Sequence, residues 1–262
     1  MGKRILTTVL GLPILFFVLY KGGLLLTLSL LVVTMIGLSE FYSSMKKSGY
    51  CPMSVAGYAG TLAIYAGLII FQEKDILTLT IPLILMTLMI YWILTNPKHN
   101  LMDLVITWFG LTYVTMLLVP IVLIDGLAFS YGVWLIFIIS WSCDSSAYLV
   151  GVGFGKHKLC PSISPKKTIE GAVGGIFGSM LGCTIFSWLV LPDKMVILVI
   201  LGFIGAIVSQ LGDLAASQIK RTVGIKDFGQ IFPGHGGILD RFDSILFTAP
   251  LVYFFLAQWM MR

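Results

Sequence analysis

The chain has 262 residues, 58% of them hydrophobic and 11% charged, with a mean hydropathy of +0.98 and a formal net charge of +5. A water-soluble core of this size cannot bury so much apolar surface, which excludes a soluble globular domain. Apolar runs of about 20 residues recur, each long enough to cross a hydrocarbon layer of about 30 Å as a helix, and the period-two alternation of a transmembrane barrel is missing.

In chain order the runs fall at roughly 5–20, 24–42, 54–71, 76–95, 101–124, 130–152, 169–191, 195–216 and 244–261. They predict an all-α integral membrane protein, a polytopic bundle of about nine transmembrane helices. The first run follows Lys3 and Arg4 in the manner of a signal peptide, but no small-x-small cleavage site follows before Lys21, so it is read as a retained helix. Lys and Arg are strongly biased: 13 lie in the N-terminus and even-numbered loops, and only Lys21, Lys74, Lys194 and Arg262 lie opposite them. That bias predicts a cytoplasmic N-terminus and an inner-membrane, multi-pass location. The excess positive charge then belongs to loops beside an anionic leaflet, and nothing points to nucleic acid.

The two halves differ. Residues 1–125 are apolar spans with short loops, and Glu40 and Asp103 are their main intramembrane charges; they read as the lipid-embedded, structural and dimer-forming part. Residues 126–262 add acids in or at the ends of spans and two long cytoplasmic loops, 153–168 and 217–243, and read as the catalytic part. Cys51, Cys143, Cys160 and Cys183 are scattered, without metal-ligand spacing, and read as packing residues or free thiols.

A carboxylate in lipid is costly unless paired, hydrated or bound to a cation. Asp144 lies inside the sixth span, Asp213 closes the eighth, and Asp240 and Asp243 open the ninth. Four acids near one membrane face repel one another, which argues for a bound cation, and all-oxygen ligands argue for a hard one such as Mg²⁺. Asp213, Ser217, Lys220 and Arg221 stand at i, i+4, i+7 and i+8, one helical face if the eighth helix outruns the bilayer. Asp240 and Asp243 stand at i, i+3, a spacing that for Asp240 alone is that of any solvated helix. Arg241 between them is an internal counter-ion or a phosphate contact.

Gly236 and Gly237 in "FPGHGG" allow close approach of backbone N–H groups to a phosphate at a helix start, although glycines also make plain turns. His235 is either an acid–base or phosphate-donating group or a hydrogen-bonding residue of the turn. The loop "GVGFGKHKLCPSISPKKTIEG" gathers Lys156, Lys158, Lys166 and Lys167 near Ser164, Thr168 and Glu170. It is no P-loop, since Val150 replaces the first glycine and His157 follows Lys156. Its lysines suit a polyphosphate, and equally satisfy the cytoplasmic charge bias. Metal-assisted phosphoryl or nucleotidyl transfer is the chemistry that needs acids, bases and glycines together, and a pocket at a bilayer surface implies a lipid substrate.

Ser217, Lys220-Arg221, Lys226-Asp227 and "PGHGGILDRFDS" closely resemble the signature of phosphatidate cytidylyltransferases, with about a dozen fixed positions between Ser217 and Asp243 and no departure. The runs "SPKKTIEG", "FGKHK" and "CDSSAY" also look like this family, while the first half matches only in hydrophobic character. The resemblance implies that CTP and phosphatidate give CDP-diacylglycerol and pyrophosphate with Mg²⁺, and a second cation such as K⁺, in a homodimer. It implies Asp144, Asp213, Asp240 and Asp243 as metal ligands, with Ser217 a further oxygen. It implies Lys166, Lys167, Lys220, Arg221 and Lys226 on triphosphate or lipid phosphate, with Lys156 and Arg241 as further phosphate contacts. His235, Gly236 and Gly237 would shape the phosphate loop, and Asp144, Lys220, Arg221 and Asp240 would form the catalytic core. Two other readings stay open: CTP-dependent activation of a different lipid phosphate, and an ion-coupled transporter whose acids bind cations.

Overall fold

The computed structural model describes residues 2–71, 76–127, 129–231 and 236–260, without the side chains of 2–10, 259 and 260. Helix α1 (Gly2–Lys21) is followed by α2 (Gly23–Lys47), α3 (Ser54–Phe71) and α4 (Ile76–Leu94). Helices α5 (Leu101–Gly110) and α6 (Leu117–Asp125) form one rod joined by a π-helical segment, Leu111–Met116. That segment ends four residues before Pro120, which has no N–H to offer the Met116 carbonyl. Helices α7 (Gly132–Phe154), α8 (Ile169–Val190), α9 (Met195–Thr222) and α10 (Leu239–Phe255), the last extended by a π turn at Leu256–Met260, complete the chain.

These rods occupy the nine expected runs. Among the described residues seven helices are long and apolar enough to cross a membrane, including the whole Leu101–Asp125 rod, and the apolar part of α1, Gly11–Lys21, is shorter. The protein is an all-α, multi-pass membrane protein. One element differs from the sequence reading: the loop expected at 153–168 contains an antiparallel hairpin, β1 (Lys158–Cys160) with β2 (Ser164–Thr168), whose register is irregular between Lys158 and Cys160.

By packing, the chain forms two compact units, Met1–Leu123 with Val223–Arg241, and Ile124–Thr222 with Phe242–Arg262. The sequence division at 125 followed charge; packing instead groups Val223–Arg241 with the N-terminal helices.

In the first unit, buried hydroxyls bridge helices, the kind of polar contact that holds neighbours together where lipid offers no hydrophobic drive. Thr34 Oγ1 meets Tyr65 Oη at 2.8 Å, Thr61 Oγ1 meets Thr115 Oγ1 at 2.8 Å, and Tyr42 Oη donates to the Thr107 carbonyl at 2.8 Å. Asp103, expected as an intramembrane charge, instead builds the start of α5. Its Oδ2 accepts the Asn100 N–H at 3.0 Å while Asn100 Oδ1 accepts the Asp103 N–H at 2.9 Å, a reciprocal capping box, and its Oδ1 accepts the Cys51 N–H at 2.7 Å.

The second unit is built on α7, α8 and α9. Small residues let α7 and α8 approach: a methyl group on Gly178 would collide with the Ser146 side chain, and one on Gly175 would press on the Cys143 carbonyl. The Ser179 hydroxyl donates to the Gly202 carbonyl at 2.9 Å between α8 and α9, and Ser140 Oγ donates to Thr248 Oγ1 at 3.2 Å between α7 and α10.

Candidate active site

Helix α9 continues to Thr222, so Asp213, Ser217, Lys220 and Arg221 do share one helical face, as their spacing requires. Around it the second unit brings together Asp144 from α7, Lys167 from β2, and Asp243 and Ser244 from α10. Lys167 Nζ pairs with Asp213 Oδ2 at 2.6 Å, both side chains being 26% exposed. Ser217 Oγ donates to Asp213 Oδ1 at 3.3 Å, so each carboxylate oxygen has a partner. Ser244 Oγ donates to Asp144 Oδ2 at 3.3 Å. Asp243 Oδ1 accepts the Ser244 N–H at 2.9 Å, and Asp213, Lys220 and Asp144 are charged groups close enough to act on its carboxylate.

Strand β2 places Lys166 and Lys167 on opposite faces, which explains why Lys167 reaches Asp213 and Lys166 is exposed. Arg221 Nε donates to the Ile163 carbonyl at 3.3 Å, tying the hairpin turn to the end of α9. At the hairpin's other end Thr168 caps α8, accepting the Gly171 N–H at 3.1 Å. Glu170 accepts the Lys156 N–H at 3.1 Å, and His157 Nδ1 lies 2.6 Å from its Oε1. These contacts give the loop before β1 a fixed attachment to α8. The side chains of Lys156 and Lys158 are exposed.

The remaining predicted residues belong to the first unit. Asp240 is buried, and its Oδ2 accepts the N–H groups of Phe228 and Gly237, both at 2.9 Å. Glu40 of α2, also buried, accepts the N–H groups of Ile238 and Leu239 at 3.0 Å each. The N–H groups at the start of α10, which the sequence reading offered to a phosphate, therefore meet two carboxylates. Gly237 permits this closeness, since a Cβ there would overlap the Glu40 carboxylate, and so would one on Gly229. Gly236 takes a left-handed φ of +85°, which suits glycine. Lys226 and Arg241 are exposed, and His235 lies outside the described residues.

Sequence reasoning named Glu40 without giving it a partner and passed over Ser244. A lone acid in an apolar span was the available signal for Glu40; a serine beside an acid carries none.

Among the described residues no group of three or more His, Cys, Asp and Glu side chains stands ready to hold a metal ion. Mg²⁺ takes hard oxygen ligands, commonly one or two carboxylates together with waters and substrate phosphates. The hard-oxygen donors Asp144, Asp213, Asp243 and Ser217 fit it chemically, and Lys167 already places one cationic group on Asp213.

Fold and site together define a multi-pass membrane protein with an acid–lysine centre suited to phosphate chemistry. The sequence profile of the Cytidylyltransferase family matches residues 2–259, and the chain belongs to that family. It is 36% identical to the phosphatidate cytidylyltransferase of Bacillus subtilis (strain 168), over 98% of each chain. It is 35% identical to that of Staphylococcus epidermidis and 34% identical to that of Staphylococcus aureus, in each case over 98% of this chain and 100% of the relative.

Proposed function

We propose that the protein transfers the cytidylyl group of CTP to phosphatidate, giving CDP-diacylglycerol and pyrophosphate for phospholipid synthesis. The observation that carries the reading is the near full-length similarity to phosphatidate cytidylyltransferases, joined to a site that pairs acids with lysines at a helix end. Membership of the family disfavours the transporter.

A phosphate oxygen of phosphatidate attacks the α-phosphorus of CTP; the new P–O bond forms as the bond to the β-phosphate bridging oxygen breaks, and pyrophosphate leaves. Phosphatidate is already anionic near neutral pH, so no side chain need take a proton. Asp144, Asp213 and Asp243 hold Mg²⁺ in this proposal, with Ser217 as a further oxygen; when bound it neutralises charge on the transferring phosphate. Lys166, Lys167, Lys220, Arg221 and Lys226 hold triphosphate and lipid phosphate by charge-assisted hydrogen bonds. Lys156 and Arg241, exposed and cationic, supply outer phosphate contacts. Asp240, implied by the resemblance as a ligand, has its Oδ2 engaged by the N–H groups of Phe228 and Gly237 and in this proposal positions those two backbone groups rather than the cation. The bias of Lys and Arg supports an inner-membrane setting with N-terminus and site on the cytoplasmic side. A pair of copies is the working form we propose, checked by particle mass in detergent.

Incubation of the purified protein in detergent with Mg²⁺, cytidine-labelled CTP and a panel of lipid phosphates tests the acceptor. Phosphatidate is expected to give a lipid-soluble cytidine product with equimolar pyrophosphate. Product from a different lipid phosphate alone would move the assignment to a sibling enzyme, and none from any lipid would remove it.

A further inference from the structure

The Lys167–Asp213 pair joins two groups assigned to different tasks. In the reading above, Asp213 holds the divalent cation and Lys167 holds phosphate, yet in the protein alone they hold each other at 2.6 Å. The second oxygen of Asp213 receives the Ser217 hydroxyl, so the carboxylate has both oxygens engaged. A cation approaching Asp213 must compete with an ammonium already in contact.

The setting makes that ammonium a movable one. Lys167 lies on a short, irregular two-stranded hairpin rather than on a transmembrane helix, and its flexible four-carbon stem carries the charge. The hairpin itself is anchored through the Arg221–Ile163 contact at its turn and the Thr168 cap at its end, so the side chain can swing without the backbone leaving. Asp213, Asp144 and Lys220 all lie close enough to Asp243 to act on it, so further acids and a cation share this neighbourhood. With Lys167 removed to a triphosphate, the acids lose a counter-charge while the incoming phosphates gain one.

We propose that Lys167 is a place-holder for the metal: it occupies Asp213 until a nucleotide triphosphate draws it off, so that divalent cation and nucleotide enter together. The inference rests on the assignment of Asp213 as a cation ligand. Metal without nucleotide is then held weakly, and a half-assembled site is avoided. Linkage makes the effect reciprocal: the factor by which bound triphosphate raises metal affinity is the factor by which metal raises nucleotide affinity.

The test uses Mn²⁺ alone, with the full-length protein in detergent and no nucleotide, binding being followed by electron paramagnetic resonance. Lys167→Met is expected to bind Mn²⁺ at least about tenfold more tightly than wild type, a change of about 1.4 kcal/mol. The gain should vanish in the Lys167→Met, Asp213→Asn double variant. Lys166→Met, which removes an equal charge one residue away on the other face of β2, should gain far less. Equal Mn²⁺ affinity in wild type and Lys167→Met, or equal gains in Lys166→Met and Lys167→Met, would overturn the proposal. Lys167→Gln provides the same comparison if the Met variant folds poorly. The readout needs no substrate, so it fails separately from the transferase assay.

Discussion

Asp213→Asn leaves a folded protein whose cytidylyl transfer is about 10²- to 10³-fold slower than wild type, the loss expected when metal stabilisation worth several kcal/mol is weakened. The amide keeps the shape of the side chain and an oxygen for the Ser217 hydroxyl, but it gives up the charge that holds Lys167 and, in the proposed mechanism, Mg²⁺. Stability should change little. The pair is partly exposed, and such ion pairs contribute at most about 1 kcal/mol. Initial rates at saturating Mg²⁺ and CTP, together with a melting curve in detergent, separate the two quantities. A variant at the wild-type rate would take Asp213 out of the site.

Glu40→Ala is expected to produce the largest stability loss. Its carboxylate is buried and accepts two N–H groups, Ile238 and Leu239, nearly 200 residues away in the chain. Truncation leaves both donors without that acceptor. At about 1–3 kcal/mol for each buried donor left unpaired, the cost is about 2–6 kcal/mol before any cavity is counted. Gly229 and Gly237 are fitted around this side chain, so the segment carrying Lys226 and Asp240 loses its support as well. Activity should fall with stability, and Glu40→Gln, which retains one acceptor oxygen, should lie between wild type and alanine. Thermal unfolding in detergent gives the ranking; an alanine variant that melts with wild type would show that Glu40 does not hold the segment.

Membrane helices are the part of this protein most readable in the sequence, because each must satisfy its own backbone in lipid and so announces itself as an apolar run. The α9 face was readable for a related reason: helical periodicity is local, and Asp213, Ser217, Lys220 and Arg221 obey it. The hairpin at Lys158–Thr168 was not, since its composition is that of a basic loop and its strands are only three and five residues long. Contacts across long chain separations were equally hidden. Nothing in the run around Glu40 names Ile238 as its partner, and glycines set apart for a phosphate turn out to accommodate a carboxylate. Asp103 shows the reverse: its role is local, and "NLMD" carries the capping pattern in plain sight.

In the proposed reaction the α-phosphorus of CTP passes to a lipid phosphate. The most direct measurement compares CTP labelled at the α-phosphate with CTP labelled at the γ-phosphate, each incubated with phosphatidate, Mg²⁺ and the purified protein. The α-label is expected in the lipid phase as CDP-diacylglycerol and the γ-label in the aqueous phase as pyrophosphate, in equal amounts. Transfer of the γ-label to lipid, or no lipid label from either nucleotide, would contradict it.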